Sequence, residues 1–285
     1  MQQPSTKIEF YKQRDFGEKI NVTFDFIRRN FKEIFMLLLK TVLPITAVIV
    51  IIPAFFSEFF ISNYQNLQYF NPMAPLVMMI YYIGYIFAML YTYSTALTLL
   101  YHKTIGSNNE LNMPIDLNKE IRSNMSSIFV VGLLTGLIVF GCLLLLIIPG
   151  IIVSVMLSFT ATVVVFEKLS PSKAISRCWK LGATEWWPTV GLLIVVGLIG
   201  GIINLIFSVP NVVVTFVIAF SQINIQESSF AFKLIYYITT LISTFSALIV
   251  STISIIAIAF QWANIREIKE GYSLQDKISN FEEQQ

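Results

Sequence analysis

Charge is scarce in this chain. Asp, Glu, Lys and Arg make up 13% of its 285 residues, about half the share of an ordinary soluble domain. Hydrophobic residues make up 55% and the mean hydropathy is +0.71, which excludes a soluble domain and implies several membrane crossings. Histidine occurs once, at position 102, and cysteine twice. Cys142 lies in an apolar run and Cys178 in a basic stretch, so neither a disulfide framework nor metal-ligand spacing is present. Basic residues stand beside apolar runs and form no solvated patch, which argues against nucleic-acid binding. The opening stretch lacks an apolar core ending in small residues. No cleaved signal peptide is therefore expected, and the first span serves as the insertion signal.

What the chain has is apolar length. A helix needs roughly 20 apolar residues to cross a bilayer, and six stretches are read as spans: 34–56, 76–101, 128–148, 151–166, 187–209 and 233–262. Pro149-Gly150 is expected to make the turn between the third and fourth. Val212–Phe220 is apolar but short and follows Pro210; it reads as a re-entrant or interfacial piece. Residues 1–33 and 264–285 then form tails.

Lysine and arginine give the orientation. Lys7, Lys12, Arg14, Lys19, Arg28, Arg29 and Lys32 precede span one, and Lys103, Lys119 and Arg122 separate spans two and three. Lys168, Lys173, Arg177 and Lys180 separate four and five, and Arg266, Lys269 and Lys277 follow six. Residues 57–75 and 210–232 carry no Lys or Arg. Both termini are therefore expected in the cytoplasm.

Between spans four and five runs a short basic helix, started by Ser170 and Pro171. Helical spacing puts Ile175, Cys178, Trp179, Gly182 and Trp186 on one face and Lys173, Arg177, Lys180 and Thr184 on another. Cations opposite tryptophans suit the boundary between headgroups and acyl chains. Two earlier segments follow the same plan: Phe16, Ile20, Phe24, Ile27 and Phe31 form one apolar stripe, and Leu117, Ile121, Met125 and Ile128 another. The expected fold is all-α, with six transmembrane helices in three hairpins, each preceded by a cytoplasmic interfacial amphipathic helix. Anionic headgroups are the expected partners of Arg28, Arg29, Lys32, Lys173, Arg177, Trp179, Lys180, Trp186 and Trp187. Gly132-x-x-x-Gly136 and Gly197-x-x-x-Gly201 form strips for close helix packing, within this chain or against a partner subunit or lipid tail.

Few polar groups fall inside the spans. Lys40 lies about two turns into span one, where its stem can snorkel to the interface or its ammonium can hold a lipid phosphate or an acidic partner residue. Glu167 can pair with Lys168, Lys173 or Arg177 and so orient the basic helix. Asn204 suits an interhelical hydrogen bond. Hydroxyls crowd span six, including Thr239, Thr240, Ser246 and Ser251, and can line a path or bond their own backbone. In span two, Tyr82, Tyr85 and Tyr93 share a face, as an aromatic belt or a contact surface. His102 has Glu110 and Asp116 in the following loop, with no nucleophile placed beside it.

Pro149-Gly150-Ile151, Glu167, Leu169-Ser-Pro171, Ala174, Arg177, Trp179, Leu181 and Trp186-Trp187 together form a pattern. It resembles bacterial six-span proteins known as the membrane domain of glycerophosphoryl diester phosphodiesterase. Arg14-Asp-Phe-Gly-Glu18 with Arg28-Arg-Asn-Phe31 resembles that family's opening segment. In the family, hydrolysis belongs to a separate barrel domain using acidic metal ligands and histidines. This chain has one histidine, the tail after span six is too short for a barrel, and Cys178 stands where the family pattern has serine. The resemblance therefore implies fold and location, a bacterial inner membrane, and not hydrolysis. The function expected is that of a non-enzymatic accessory or scaffold subunit, without cofactor or metal, contacting anionic lipid and other integral membrane proteins. The alternative is a protein that transports or handles lipid or a small apolar molecule.

Overall fold

A computed structural model describes residues 8–61, 73–105, 114–183, 185–221 and 228–272. The described residues are helices and their connections, with no strand among them. The elements are α1 (Phe16–Ile61), α2 (Met73–Thr104), α3 (Pro114–Leu145), α4 (Ile147–Leu157), α5 (Thr160–Phe166), α6 (Pro171–Gly182), α7 (Trp186–Ser221) and α8 (Phe230–Glu270). Six helical stretches are long and apolar enough to cross a membrane: those of α1, α2, α3, α4 with α5, α7 and α8.

The chain divides into two compact units, one of residues 1–34, 93–198 and 252–285, the other of 35–92 and 199–251. In the first, the end of α2 and the end of α8 are buried almost all round. Leu97, Leu99 and Leu100 of α2 and Ile256, Phe260, Trp262 and Ile265 of α8 are sealed. Polar stitches fix α2 to α3: Ser94 donates to the Ile121 carbonyl at 2.5 Å and Asn124 to Thr98 at 2.9 Å. Gln261 of α8 donates to Thr189 of α7 at 3.0 Å. In the second unit, Gly84 brings α2 so close to α1 that an added Cβ would lie 2.6 Å from Ile49. Asn204 there accepts from Ser246 at 3.1 Å.

The helices depart from the sequence reading at identifiable places. Neither α1 nor α3 breaks between its polar start and its apolar length, so no separate interfacial helix precedes the first or third span. Phe31-Lys-Glu-Ile34 and Met125-Ser-Ser-Ile128 hold no Gly or Pro to stop a helix. A break does follow α6, where Pro188 in the first turn of α7 has no N–H with which to continue the helix's hydrogen bonds upstream. Of the Phe16–Phe31 apolar stripe, Phe16 and Phe31 are exposed, and the side of α1 that faces inward carries Lys19, Thr23, Phe26, Ile34 and Leu38. Asp15 starts this helix with a capping box, accepting from the Glu18 N–H at 2.7 Å, while Glu18 reaches back to the Asp15 N–H at 3.3 Å.

The turn after α3 falls at Leu146, which is extended (φ −157°, ψ 135°), and not at Pro149-Gly150. Pro149 sits in the first turn of α4, where its missing N–H costs nothing. Gly150 is there for closeness: an added Cβ would meet the Leu143 side chain at 2.4 Å and its backbone Cα at 2.9 Å. The α4–α5 kink at Ser158-Phe159 follows from Ser158 turning both N–H and Oγ onto the Val155 carbonyl, at 3.3 and 2.7 Å. Val212–Phe220 is no separate piece. α7 runs through Pro210, and the turn beyond it is held because Asn211 donates to Thr240 at 2.9 Å. α8 likewise extends past residue 262, so 264–270 is helix and Asn264 and Ile265 are buried.

The glycine strips expected to pack helices do not do so within the described chain. A Cβ at Gly132, Gly136, Gly197 or Gly201 would meet nothing within 4 Å. The close approaches are at Gly150, Gly84 and Gly182, whose added Cβ would lie 2.9 Å from the Met156 Cα. Gly150→Ala should therefore destabilise the protein by about 1–3 kcal/mol through overpacking, while Gly136→Ala should leave it unchanged. Thermal unfolding of both variants in mild detergent measures the contrast.

Candidate functional site

The charged groups that α5, α6 and α8 bring together form the best-defined polar site in the first unit. Glu167 is the C-cap of α5 (φ −95°, ψ −4°). Lys168 follows in the left-handed region (φ 51°) and turns the chain toward α6, the role glycine usually fills after a helix. Ala174, Cys178, Leu181 and Gly182 are the inward face of α6, which sets Arg177 beside Glu167. Arg177 Nε lies 3.1 Å from Oε2 and 3.2 Å from Oε1 of Glu167, with a further bond from Nη2 to Oε1 at 3.2 Å.

The end of α8 completes the cluster. Glu270 takes Arg177 Nη2 on Oε1 at 2.5 Å and Arg266 Nε on Oε2 at 3.0 Å. Arg266 Nε also stands 3.5 Å from Glu167 Oε1. Two cations and two anions thus close a neutral ring, with every carboxylate oxygen but one facing two or more nitrogens or held within 3 Å of one. Burial lowers the pKa of the Arg177 guanidinium, but Glu167 and Glu270 outweigh it, so the proton is held more tightly than in a free arginine.

Against this ring stand aromatic side chains from the segment before α1. Arg266 donates to the Tyr11 hydroxyl at 3.1 Å and lies over Tyr11, Trp262 and Tyr272, with its Cζ 4.0 Å from the Tyr272 centroid. Phe10 stacks on Phe166 at 4.7 Å and packs against Phe260 and Trp262. Asn264 accepts from the Arg14 backbone N–H at 2.7 Å, and Arg14 also bonds the carbonyls of Phe10 and Glu9. Burial pushes the Tyr11 phenol well above its ordinary range, against the opposing pull of Arg266. The Trp262 indole N–H, fully buried, has no acceptor among the described residues.

Of the three cations weighed for Glu167, Arg177 is the one on it. That takes Arg177 off the headgroup-facing set, because it points into the protein. Lys173 and Lys180 are exposed, and the Lys180 carbonyl accepts from Lys269 Nζ at 2.8 Å. Trp179 is 49% exposed and does not share the buried face of Cys178. Trp186 is half-buried and donates to the Ile152 carbonyl at 3.3 Å, while Trp187 is exposed at its edge. Arg28 and Lys32 are exposed, and Arg29 pairs with Asp25 at 2.8 Å. Lys40, entertained as a buried charge, is exposed on α1. The hydroxyls of α8 mostly turn to their own backbone, as Thr239 and Thr240 do to the Tyr236 carbonyl. His102 bonds Glu120 at 2.6 Å; Glu110 and the Asp116 side chain lie outside the described residues. Among the described residues no three His, Cys, Asp or Glu gather as a metal site would need.

Residues 121–260 match the family model of a domain of unknown function, DUF7847. The matched segment contains Glu167 and Arg177 and ends before Trp262, Arg266 and Glu270. It does not show the glycerophosphoryl diester phosphodiesterase membrane family that the Pro149–Trp187 pattern resembles. No curated protein and no solved structure matches the chain.

The residues that sequence reasoning missed are Tyr11, Trp262, Asn264, Arg266 and Glu270. Their signal was there: Gln261 and Asn264, three residues apart, and then Arg266 introduce polar groups into the end of an apolar helix. Glu167→Gln should cost roughly 1–3 kcal/mol, a buried-pair loss reduced by partial exposure. In a double-mutant cycle with Arg177→Met the two losses should fall well short of additive, read by denaturant unfolding. Burial pushes the Cys178 thiol up to about 12, so it stays protonated between pH 7 and 9. In a Cys142→Ala background, its alkylation should be slow and nearly flat over that range until the protein unfolds.

Proposed function

We propose that this chain is a non-enzymatic, multi-pass inner-membrane protein that serves as an accessory or scaffold subunit, touching other integral membrane proteins through its apolar helix faces and anionic lipid through its cytoplasmic basic residues. The observation that carries this reading is where the chain spends its side chains. α3 turns Leu133, Leu137, Phe140 and Leu144 outward, and α7 turns out Leu198, Ile202, Leu205 and Ile206. Residues 125–166 and 186–221 hold no charged group, and Gly132, Gly136, Gly197 and Gly201 on the two helices stand open. Such faces suit lipid or another helix as neighbour. Charged side chains lie outside these stretches, and four of them, Glu167, Arg177, Arg266 and Glu270, are consumed in a ring that fastens helices together.

The distribution of Lys and Arg supports cytoplasmic termini, and the exposed Lys173, Trp179, Lys180 and Trp187 support a headgroup-level position for α6 and the start of α7. Kinship with the membrane domain of glycerophosphoryl diester phosphodiesterase rests on the pattern from Pro149 to Trp187 and belongs to this reading.

Affinity purification of the tagged, endogenously expressed chain in mild detergent should retain an integral membrane partner at near-equal stoichiometry. Gly136→Ile with Leu137→Arg on the open face of α3 should release it while the chain still folds. A monodisperse single chain in every mild detergent would overturn the scaffold reading, and lipid extracted in fixed ratio with it would favour lipid handling.

A further inference from the structure

Beside the His102–Glu120 pair lies an open cavity of about 580 Å³, outside the four-charge ring. It is lined by Lys119, Glu120, Ser123, Asn124 and Ser127 of α3 together with Val164, Lys168 and Leu169. We propose that this cavity binds the phosphate group of a phosphate monoester or diester, with Lys119 and Lys168 supplying the charge and Ser123, Ser127 and Asn124 the directed hydrogen bonds. The proposal rests on the membrane placement given above and adds a specific site to it.

Four observations converge on that assignment. Lys119 and Lys168 come from different segments and line one cavity, and neither meets a carboxylate among the described residues. Lys168 instead sits with its ammonium 5.5 Å from the Tyr101 ring centroid. Its backbone is left-handed (φ 51°), a conformation glycine would adopt without strain, so the lysine side chain is kept at a backbone cost. Glu120, the one acid on the lining, is engaged by His102 at 2.6 Å, which blunts its repulsion toward an anion. Asn124 is fixed by its bond to Thr98 at 2.9 Å, and so is oriented before any ligand arrives.

The level of the cavity selects the ligand further. The last charge before the long apolar stretch of α3 is Arg122, and the first after α5 is Glu167. The cavity therefore straddles the point where both segments pass from polar to apolar sequence. Below it α3 turns Phe129, Val130 and Leu133 outward, a surface on which an acyl chain could lie. A phosphate at this height comes either from a lipid headgroup or from a free phosphate ester, and the two differ only in what continues downward.

The test is native mass spectrometry of the purified full-length chain in detergent, titrated separately with dioleoyl phosphatidic acid, dioleoyl phosphatidylglycerol, dioleoylglycerol, glycerol 3-phosphate and inorganic phosphate. The unaltered chain should retain one phosphate-bearing molecule and no dioleoylglycerol. K119Q/K168Q should lower its occupancy at least fivefold, K119R/K168R should restore it, and K173Q/K180Q on α6 should leave it within twofold. Retention of glycerol 3-phosphate or inorganic phosphate as firmly as phosphatidic acid would assign the site to soluble phosphate; retention of the lipids alone would assign it to a headgroup. Equal losses in K119Q/K168Q and K173Q/K180Q would overturn the site while leaving general attraction to anionic lipid intact. No loss in either would overturn both. Circular dichroism melts of each variant show that a loss of occupancy comes from a folded chain.

Discussion

The ion-pair ring of Glu167, Arg177, Arg266 and Glu270 is the constraint on which the first unit turns. It joins the end of α5, the middle of α6 and the end of α8, segments far apart in sequence, at the edge of an apolar mass. Four charges placed there singly would each suffer desolvation; closed into a ring, each meets its opposite. Arg266 does a second job, because its flat guanidinium is also the plate on which Tyr11, Trp262 and Tyr272 pack. A lysine in its place would carry the charge but could not serve two carboxylates and three rings at once.

Close backbone approach is the other organising device, and it lies where helices reverse or cross. Gly150 lets α4 fold back on α3, and Gly182 lets α6 end against α4. Both are single glycines without the four-residue spacing that marks a packing strip. The two spaced pairs look outward. In a membrane protein this division is physically sensible: a helix reversal is a contact the chain must make with itself, whereas a smooth outward strip is left for whatever surrounds it.

Much of the architecture was legible in the sequence because apolar length and charge scarcity are properties of whole segments. The six long apolar helices follow from that. What failed were inferences from single residues or short spans. Pro149-Gly150 looked like a turn, yet proline is as much at home in a first helical turn, and the neighbour that needs Gly150 is Leu143, invisible in a linear reading. Pro210 looked like a break, but a cross-helix bond from Asn211 to Thr240 holds the turn after it. Phe16 to Phe31 has the spacing of one apolar stripe, while the inward side of α1 is formed by Lys19, Thr23, Phe26 and Leu38. In a chain surrounded by lipid, however, spacing reveals which residues share a face and not whether that face looks in or out. Of the charged ring, only Glu167 with Arg177 was within reach. Arg266 and Glu270 lay in what read as a polar tail, and their role depends on α8 continuing past its apolar length.

The packing of Phe10 and Tyr11 against Phe260, Trp262 and Tyr272 has a bearing on how the molecule is made. These residues are separated by about 250 positions in the chain, as are Arg14 and Asn264 beside them, yet they occupy one core. A polypeptide inserted helix by helix keeps its opening segment waiting, aromatic side chains unshielded, until the eighth helix has been delivered. Closure of the first unit is thus a late event in biogenesis, governed by the arrival of residues 252–272 and not by the order in which the earlier helices enter the bilayer.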